Sequence, residues 1–282
     1  MIDLKCGNNI EIMKDFVNES IDLVVTSPPY DNLRTYNGYC FDFENTAKEL
    51  YRIIKKGGVV VWIINDATVK GNETGTSFKQ ALYFKEIGFN LHDTMIWFKP
   101  DGFNFGSNNC YKQSFEYMFV FSKGKPKTIN LIKDIPSKTA GKVTGSVRKH
   151  SDGTIDRDPR TYIQGEFKKR SNVWFVNRPK VNYGHPAVFP EELALDQIKS
   201  WSNENDVVLD CFMGSGTTGV VCKKINRNFI GIELDKEYFE IAKKRIDKEK
   251  NSIYLWLEYK SRKLNKIELK YWINLHNMVA LR

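Results

Sequence analysis

The segment Asp210-Cys211-Phe212-Met213-Gly214-Ser215-Gly216-Thr217-Thr218-Gly219 constrains this chain more than any other. It leaves an apolar stretch, Val207–Phe212, that reads as a strand, and it opens a helix carrying Val220, Val221 and Ile225. Glycines at this junction permit a tight turn and close approach of a ligand to the backbone. The helix start presents N–H groups without intrahelical partners to an anionic group. Glu233 stands 19 residues beyond Gly214, at the end of the next predicted strand, Phe229–Glu233. A carboxylate in that position can accept hydrogen bonds from ribose hydroxyls. Strand, turn, helix, strand and acid in this order mark a nucleoside site at the edge of a parallel sheet.

The loop alone does not choose the nucleoside. Gly214, Gly216 and Gly219 satisfy the dinucleotide pattern, so a nicotinamide-dependent oxidoreductase competes on this segment. S-adenosylmethionine fits equally, with its carboxylate on the loop N–H groups and its ribose on Glu233.

The rest of the chain alternates in the same way. Ile2–Cys6 and Ile21–Thr26 read as strands around a helix patterned by Ile10, Met13 and Val17. Ala47, Leu50, Tyr51 and Ile54 fall at helical spacing, Gly57-Gly58 supplies a stop, and Val59–Ile64 reads as a buried strand. Ser77 caps a helix carrying Phe78, Ala81 and Leu82, followed by strands over Leu91–Phe98 and Phe115–Phe121. Pro190 begins a helix with Leu195, Ile198 and Trp201, and Asp235 caps the helix with Ala242 and Ile246. Strands alternating with helices imply an α/β chain with a doubly wound, mostly parallel sheet covered on both faces.

Residues 123–170 break the pattern. They are rich in Lys, Gly, Thr, Asp and Pro without sustained periodicity, and read as a loop-rich insert. From Lys123 to Lys180 there are 15 basic and 5 acidic side chains, a net of +10 in a chain whose total is +9. Residues 251–282 add +4, which leaves the remaining body at −5. A basic segment on a mildly acidic body is the footprint of polyanion binding. The 41% hydrophobic and 13% aromatic content argues against a disordered chain, and the longest apolar run, Val59–Ile64, is too short to cross a membrane. No secretory signal is expected at Met1–Asn9. Five cysteines without paired short spacing (Cys6, Cys40, Cys110, Cys211, Cys222) argue against a disulfide framework or zinc knuckle and suit the cytoplasm.

The second chemical signal is Thr26-Ser27-Pro28-Pro29-Tyr30, directly after the strand Ile21–Thr26. The prolines hold the backbone rigidly and leave carbonyls unclaimed by a helix. Ser27 offers a hydroxyl and Tyr30 a flat aromatic face. An exocyclic amine on a base is a poor nucleophile because its lone pair is delocalised into the ring. A carbonyl and a side-chain oxygen accepting its two N–H bonds favour pyramidal nitrogen as attack begins. Such a base must leave the duplex to react, and an aromatic face can stack on it.

Taken together, these segments resemble an amino-methylating DNA methyltransferase of the β arrangement, in which the catalytic turn precedes the cofactor loop. Thr26–Tyr30 resembles the catalytic turn and Asp210–Thr218 the cofactor loop. Ser114–Lys125, Asn172–Trp174, His185 to Leu193, and Phe229–Glu233 with Tyr238 and Arg245-Ile246 resemble the family's intervening and flanking segments. The resemblance implies a circularly permuted Rossmann-like methyltransferase fold and S-adenosylmethionine as cofactor. It implies that Ser27, Pro28, Pro29 and Tyr30 hold the target base. Asp210, Phe212, Gly214, Ser215, Gly216 and Thr217 would line the cofactor pocket, with Glu233 on the ribose and Asn8 near the adenine. Serine at the first position of the turn is associated in the family with cytosine N4, and adenine N6 stands as the alternative.

The expected organisation is a catalytic half over 1–122, a target-recognition insert over 123–170, a cofactor-binding half over 171–250 and an extension of open role over 251–282. Arg148, Lys149, Arg157, Arg160, Lys168, Lys169 and Arg170 are candidates for phosphate or guanine contacts on double-stranded DNA. A homodimer and a companion restriction endonuclease are open as further partners. A DNA-binding module that has lost its enzymatic activity is the remaining competitor; it would bind DNA with strong salt dependence and show no turnover.

Overall fold

Five apolar runs become the parallel heart of one sheet because each is covered on both faces. The computed structural model describes residues 1–29, 41–100, 111–179 and 189–249, leaving aside the side chains of 144, 146–149 and 156–162. In chain order the first half comprises β1 (Ile2–Cys6), α1 (Asn9–Lys14), β2 (Ile21–Thr26), α2 (Phe43–Ile53), β3 (Ile54–Ile64), β4 (Thr68–Val69), β5 (Asn72–Glu73), α3 (Thr76–Glu86), β6 (Asn90–Phe98) and β7 (Phe115–Ser122). Four short strands follow: β8 (Lys133–Pro136), β9 (Val143–Lys149), β10 (Ile155–Ile163) and β11 (Phe167–Lys169). The chain then adds β12 (Val173–Phe175), α4 (Glu191–Trp201), β13 (Val207–Asp210), α5 (Thr217–Lys224), β14 (Asn228–Glu233) and α6 (Lys236–Lys248).

The central sheet has eight strands in the order β1-β14-β13-β2-β3-β7-β6-β12. β1, β14, β13, β2 and β3 are mutually parallel, while β7 runs antiparallel between β3 and β6. Period-2 alternation sends Leu23, Val25, Val59, Val61 and Ile63 to one face, where they meet Ile198 and Trp201 of α4, Val220 and Val221 of α5 and Ile246 of α6. Val24, Val60, Trp62 and Ile64 go to the other face, against Met13 of α1, Leu50 and Ile53 of α2 and Phe84 of α3. Each such buried side chain contributes roughly 1.5–3 kcal/mol relative to exposure. The doubly wound α/β expectation is met.

Sequence order explains where the sheet opens. β13 continues through α5 to β14 on one side, and β2 continues through α2 to β3 on the other. The two adjacent strands therefore diverge at their carboxyl ends, which is where a ligand crevice forms in such sheets.

Several local expectations need correction. Gly57-Gly58 does not separate helix from strand: α2 ends at Ile53, and β3 begins at once and runs through both glycines. Gly57 has φ +81° there, and its N–H and carbonyl pair with Lys123 and Lys127. Ser77 is not the cap of α3. The helix starts after Gly75, and the Ser77 N–H and hydroxyl both donate to Asp66. Its buried face is Ser77, Gln80, Ala81 and Phe84, which leaves Phe78 and Leu82 exposed. Val17 is likewise exposed beyond the end of α1. β13 stops at Asp210, short of Phe212.

The insert that reads as loop-rich contains strands. β9 pairs antiparallel with β10, and β8 with β11, both outside the central sheet. The residues of β8 and β11 are all exposed, so no buried face imposes an alternating apolar pattern on the sequence. Among the described residues no helix is long and apolar enough to cross a membrane.

Candidate active site

The carboxyl ends of β1, β14, β13 and β2 bring the expected site segments to one edge. β13 and β2 pair directly, Val208 with Leu23 and Leu209 with Val24. At the next step the ladder ends, and Asp210 takes over with its side chain. Its Oδ1 accepts from Thr26 Oγ1 at 2.6 Å and from Phe212 N at 3.2 Å, and its Oδ2 accepts from Thr218 Oγ1 at 2.7 Å. Thr26, Asp210 and Thr218 are all essentially buried. Burial pushes the Asp210 carboxyl up to about 6, against the three donors that favour its charged form.

Ser27 follows Thr26 and is half-buried, with Pro28 buried and Pro29 half-buried behind it. Tyr30 lies outside the described residues. The turn is thus one residue away from the Asp210 tie, and the glycine loop starts from the same carboxylate on the other side.

The glycine loop is held from beneath. Gly214 N donates to Glu233 Oε2 at 2.7 Å, and Asp235 N donates to Glu233 Oε1 at 2.9 Å. Burial pushes the Glu233 carboxyl up, and those two backbone N–H groups partly offset the shift. The carboxylate expected on a ribose is therefore also the fastener between the loop and the end of β14. Arg245 of α6 donates to both the carbonyl and the hydroxyl of Ser215 and to Glu191 Oε1, and Lys224 of α5 donates to Glu191 Oε2. Arg245 and Glu191 thus belong to the loop's support.

Gly216 precedes α5 with φ +81° and gives the helix no side-chain cap. A Cβ there would lie 2.9 Å from Ala242 Cβ, so the loop sits hard against α6. The hydroxyl of Thr217, the first residue of α5, is buried with no hydrogen-bond partner among the described residues. An uncapped helix start beside an unpartnered buried hydroxyl is a donor set suited to the carboxylate end of an amino-acid-bearing nucleoside.

The remaining expected residues sort as follows. Asn8 stands after β1, where Gly7 N donates to Glu233 O at 2.9 Å, so it lies beside the acid. Its Oδ1 caps α1 by accepting from Ile10 N and Glu11 N, which leaves the amide N–H groups for any ligand. Phe212 is half-buried and packs edge-on against Phe41 and Trp62. The carboxylate of Asp210, expected to line the pocket, is buried and accepts from three donors of the fold.

Arg170 is likewise held by the fold. Its guanidinium is bound by Asp134 of β8 and by the buried Asp196 of α4, and it lies over the Trp174 ring. Burial works against its charge, but the two carboxylates outweigh this and hold its pKa above the ordinary range. Arg170 anchors β8 of the insert to α4 of the body through these two carboxylates, which already occupy the guanidinium expected to meet DNA. Lys168 and Lys169 are exposed on β11. Arg148 and Lys149 lie on β9, and Arg157 and Arg160 on β10; their side chains are outside the described set.

This architecture, with its paired loops, matches a known group of proteins. Residues 21–244 match the family model described as DNA methylase, which covers the N6 and N4 enzymes. The chain belongs to the DNA methylase family. This DNA methylase is 54% identical over 254 residues to the orphan methyltransferase M.BamHII of Bacillus amyloliquefaciens, covering 86% of this chain and 94% of that one. It is 31% identical to the type II methyltransferase M.HpaI of Haemophilus parainfluenzae, over 88% of this chain and 75% of that one. The solved structure of an M1.HpyAVI–SAM complex superposes with a TM-score of 0.60 at 26% identity, covering 87% of this methylase and 100% of that chain.

Thr26, Thr218, Arg245 and Glu191 support the site in ways that sequence reasoning, which places them only within matched segments, does not give. Both threonines sit inside motifs that it does recognise, but their shared partner is visible only once β2 and β13 are neighbours.

Proposed function

We propose that this chain transfers a methyl group from S-adenosylmethionine to the exocyclic amine of a base flipped out of double-stranded DNA, at cytosine N4. The observation that carries the reading is the meeting of the Ser27 turn and the glycine loop at the ends of two paired strands, through Thr26, Asp210 and Thr218.

When bound, S-adenosylmethionine supplies an electrophilic methyl group on a sulfonium. The first turn of α5, the Thr217 hydroxyl and Glu233 are the residues to hold the cofactor's amino-acid and ribose ends. Ser27 Oγ and a backbone carbonyl of the Pro28-Pro29 turn accept the two N–H bonds of the base amine. As the N–CH3 bond formed and the methyl–sulfonium bond broke to leave the neutral thioether S-adenosylhomocysteine, the amine nitrogen would become cationic; these acceptors would stabilise the growing positive charge, and the extra proton would pass to solvent water. Tyr30 stacks on the base. The rest of the work is alignment, because an amine held in line needs no further activation than a fixed lone-pair direction. Cytosine is favoured on the identity of Ser27. The net charge of +10 from Lys123 to Lys180 supports residues 123–170 as the target-recognition segment.

The test is methyl transfer from tritiated S-adenosylmethionine to unmethylated bacterial genomic DNA, followed by digestion to nucleosides. Label in N4-methylcytosine is expected. Label confined to N6-methyladenine overturns the choice of base, and no label in any nucleoside overturns the reading. Ser27→Ala should lose activity by about 100-fold or more while binding S-adenosylmethionine nearly as the wild type does.

A further inference from the structure

Thr26 and Thr218 are hydroxyl residues at positions where packing asks only for valine-shaped side chains. Both are fully buried, between apolar neighbours of β2, β13 and α5. Both donate their hydroxyls to one carboxylate at 2.6 and 2.7 Å, as short as charge-assisted O–H···O contacts usually are; the Thr218 hydroxyl makes a second, longer contact of 3.4 Å to the Val25 carbonyl of β2. A buried carboxylate is a costly device for holding two strands that already share a ladder. It does something the ladder cannot. Backbone pairing stops short of the divergence, and beyond it the proline turn and the glycine loop head in different directions. Asp210 is placed at that fork with one oxygen on each branch. Thr26 is covalently joined to Ser27, and Thr218 to Thr217, so a movement of either threonine is passed directly to a residue of the site. Phe212 N on Oδ1 fixes the carboxylate's own orientation.

We infer that Asp210 is a positioning residue for the transfer, setting the separation between the base-holding turn and the cofactor loop by gripping Thr26 and Thr218 at once. This rests on the functional reading above and deepens it. Neither threonine needs to touch base or cofactor. Their effect is on alignment, where a displacement of about 1 Å costs on the order of 100-fold in rate. The Thr26 branch carries only the base side, so its loss should spare the cofactor, whereas the Thr218 branch supports the cofactor side.

The experiment compares wild type, Thr26→Val, Thr26→Ser, Thr218→Val and Asp210→Asn as full-length proteins. It measures kcat and KM on unmethylated genomic DNA, S-adenosylmethionine Kd by tryptophan fluorescence, and thermal unfolding. Thr26→Val is expected to lower kcat about 10- to 100-fold with cofactor Kd within about threefold of wild type. Thr26→Ser, which keeps the hydroxyl, should return kcat to within about threefold of wild type. Thr218→Val should weaken cofactor binding as well as kcat. Combining Thr26→Val with Asp210→Asn should cost little more than the worse single change, because both break one tie. Unchanged kcat in Thr26→Val overturns the inference, as does a kcat loss that Thr26→Ser fails to rescue or that only tracks the folded fraction. Wild-type protein that transfers no methyl group to DNA overturns the functional reading and this inference together; wild-type turnover with an unaffected Thr26→Val overturns the inference alone.

Discussion

The sheet edge and the insert between Lys123 and Arg170 are built on opposite principles. At the edge, Thr26, Asp210, Gly216 and Thr218 are buried, and polar contacts among them cross between strands and helices. In the insert, every residue of β8 and β11 is exposed, and β8 is tied to α4 of the body through Arg170 and its two carboxylates. A site that aligns two reacting groups gains from buried, directional contacts, whose strength rises in a low-dielectric surrounding. A surface that takes a long polyanion, the role proposed for residues 123–170, would gain from charges left in water, where they can meet phosphates without first losing their partners. One region is specified by packing and the other by charge, so they should fail differently when changed.

The largest stability loss is expected at the edge. In Gly216→Ala the new Cβ meets Ala242 Cβ at 2.9 Å and Ala242 Cα at 3.1 Å, at a φ of +81° that alanine resists. A cost of about 3 kcal/mol and weakened cofactor binding are expected, read by urea unfolding and by fluorescence titration. A near-neutral result would mean that α6 can withdraw, and that the loop is less rigidly backed than its contacts imply.

A second effect of similar kind follows from Asp210 and has a definite sign. Its carboxyl is raised to about 6 from an ordinary 3.8, chiefly by burial. A folded-state value above the unfolded one means that this group's contribution to stability is complete below the unfolded pKa and disappears as pH rises through about 6. The ionisable neighbours are the Cys211 and Cys222 thiols, pushed up by burial and so neutral, and Glu233, also pushed up. Between pH 4 and 7.5 the wild type should therefore lose on the order of 2–3 kcal/mol relative to Asp210→Asn. Unfolding midpoints of both proteins at three pH values check this, and parallel profiles would show that the carboxyl is not raised.

What could be read from the sequence divides along the same line. β2, β3 and β14 are legible because strands covered on both faces write unbroken apolar runs, and Pro28-Pro29 or an acidic residue marks their ends. The glycine loop and the proline turn are legible because their chemistry demands particular residue types in a row. The tie between them is not: Thr26 and Asp210 are 184 residues apart, and only the strand order makes them neighbours. Phe78 and Leu82 mislead for a different reason. They fit the helical period, but Ser77 is drawn to Asp66 and turns α3 so that Phe84 and Ala81 face the sheet. In the insert, β8 and β11 have no buried face and leave no period to detect. Arg170, counted among basic residues, is distinguished from Lys168 and Lys169 only by the carboxylates that fold around it.

That distinction yields the next test. Arg170→Ala removes a charged partner of Asp196, which is 4% exposed, and breaks the link from α4 to β8. A loss of about 2 kcal/mol is expected, discounted because Asp134 keeps access to water. The same variant should bring protease sensitivity to the insert before the body unfolds. If Arg170→Ala instead lowers DNA affinity with stability intact, the guanidinium belongs to the binding surface after all.

The smallest effect on stability, and the most informative for the insert, is expected from Lys168→Ala and Lys169→Ala. Both side chains are exposed on β11, so each change should leave unfolding within about 0.5 kcal/mol of wild type. Their effect should instead appear in the salt dependence of DNA binding. Each lysine that meets a phosphate contributes about one counterion release, so its removal should flatten the slope of log affinity against log salt by about 1. Because a phosphate contact carries no base information, the loss should be equal on all sequences. A change in sequence preference with the slope intact would place these lysines at base edges. An unchanged slope and affinity in both variants would move the DNA-facing surface to the β9–β10 pair, where Arg148 and Arg157 sit on neighbouring strands.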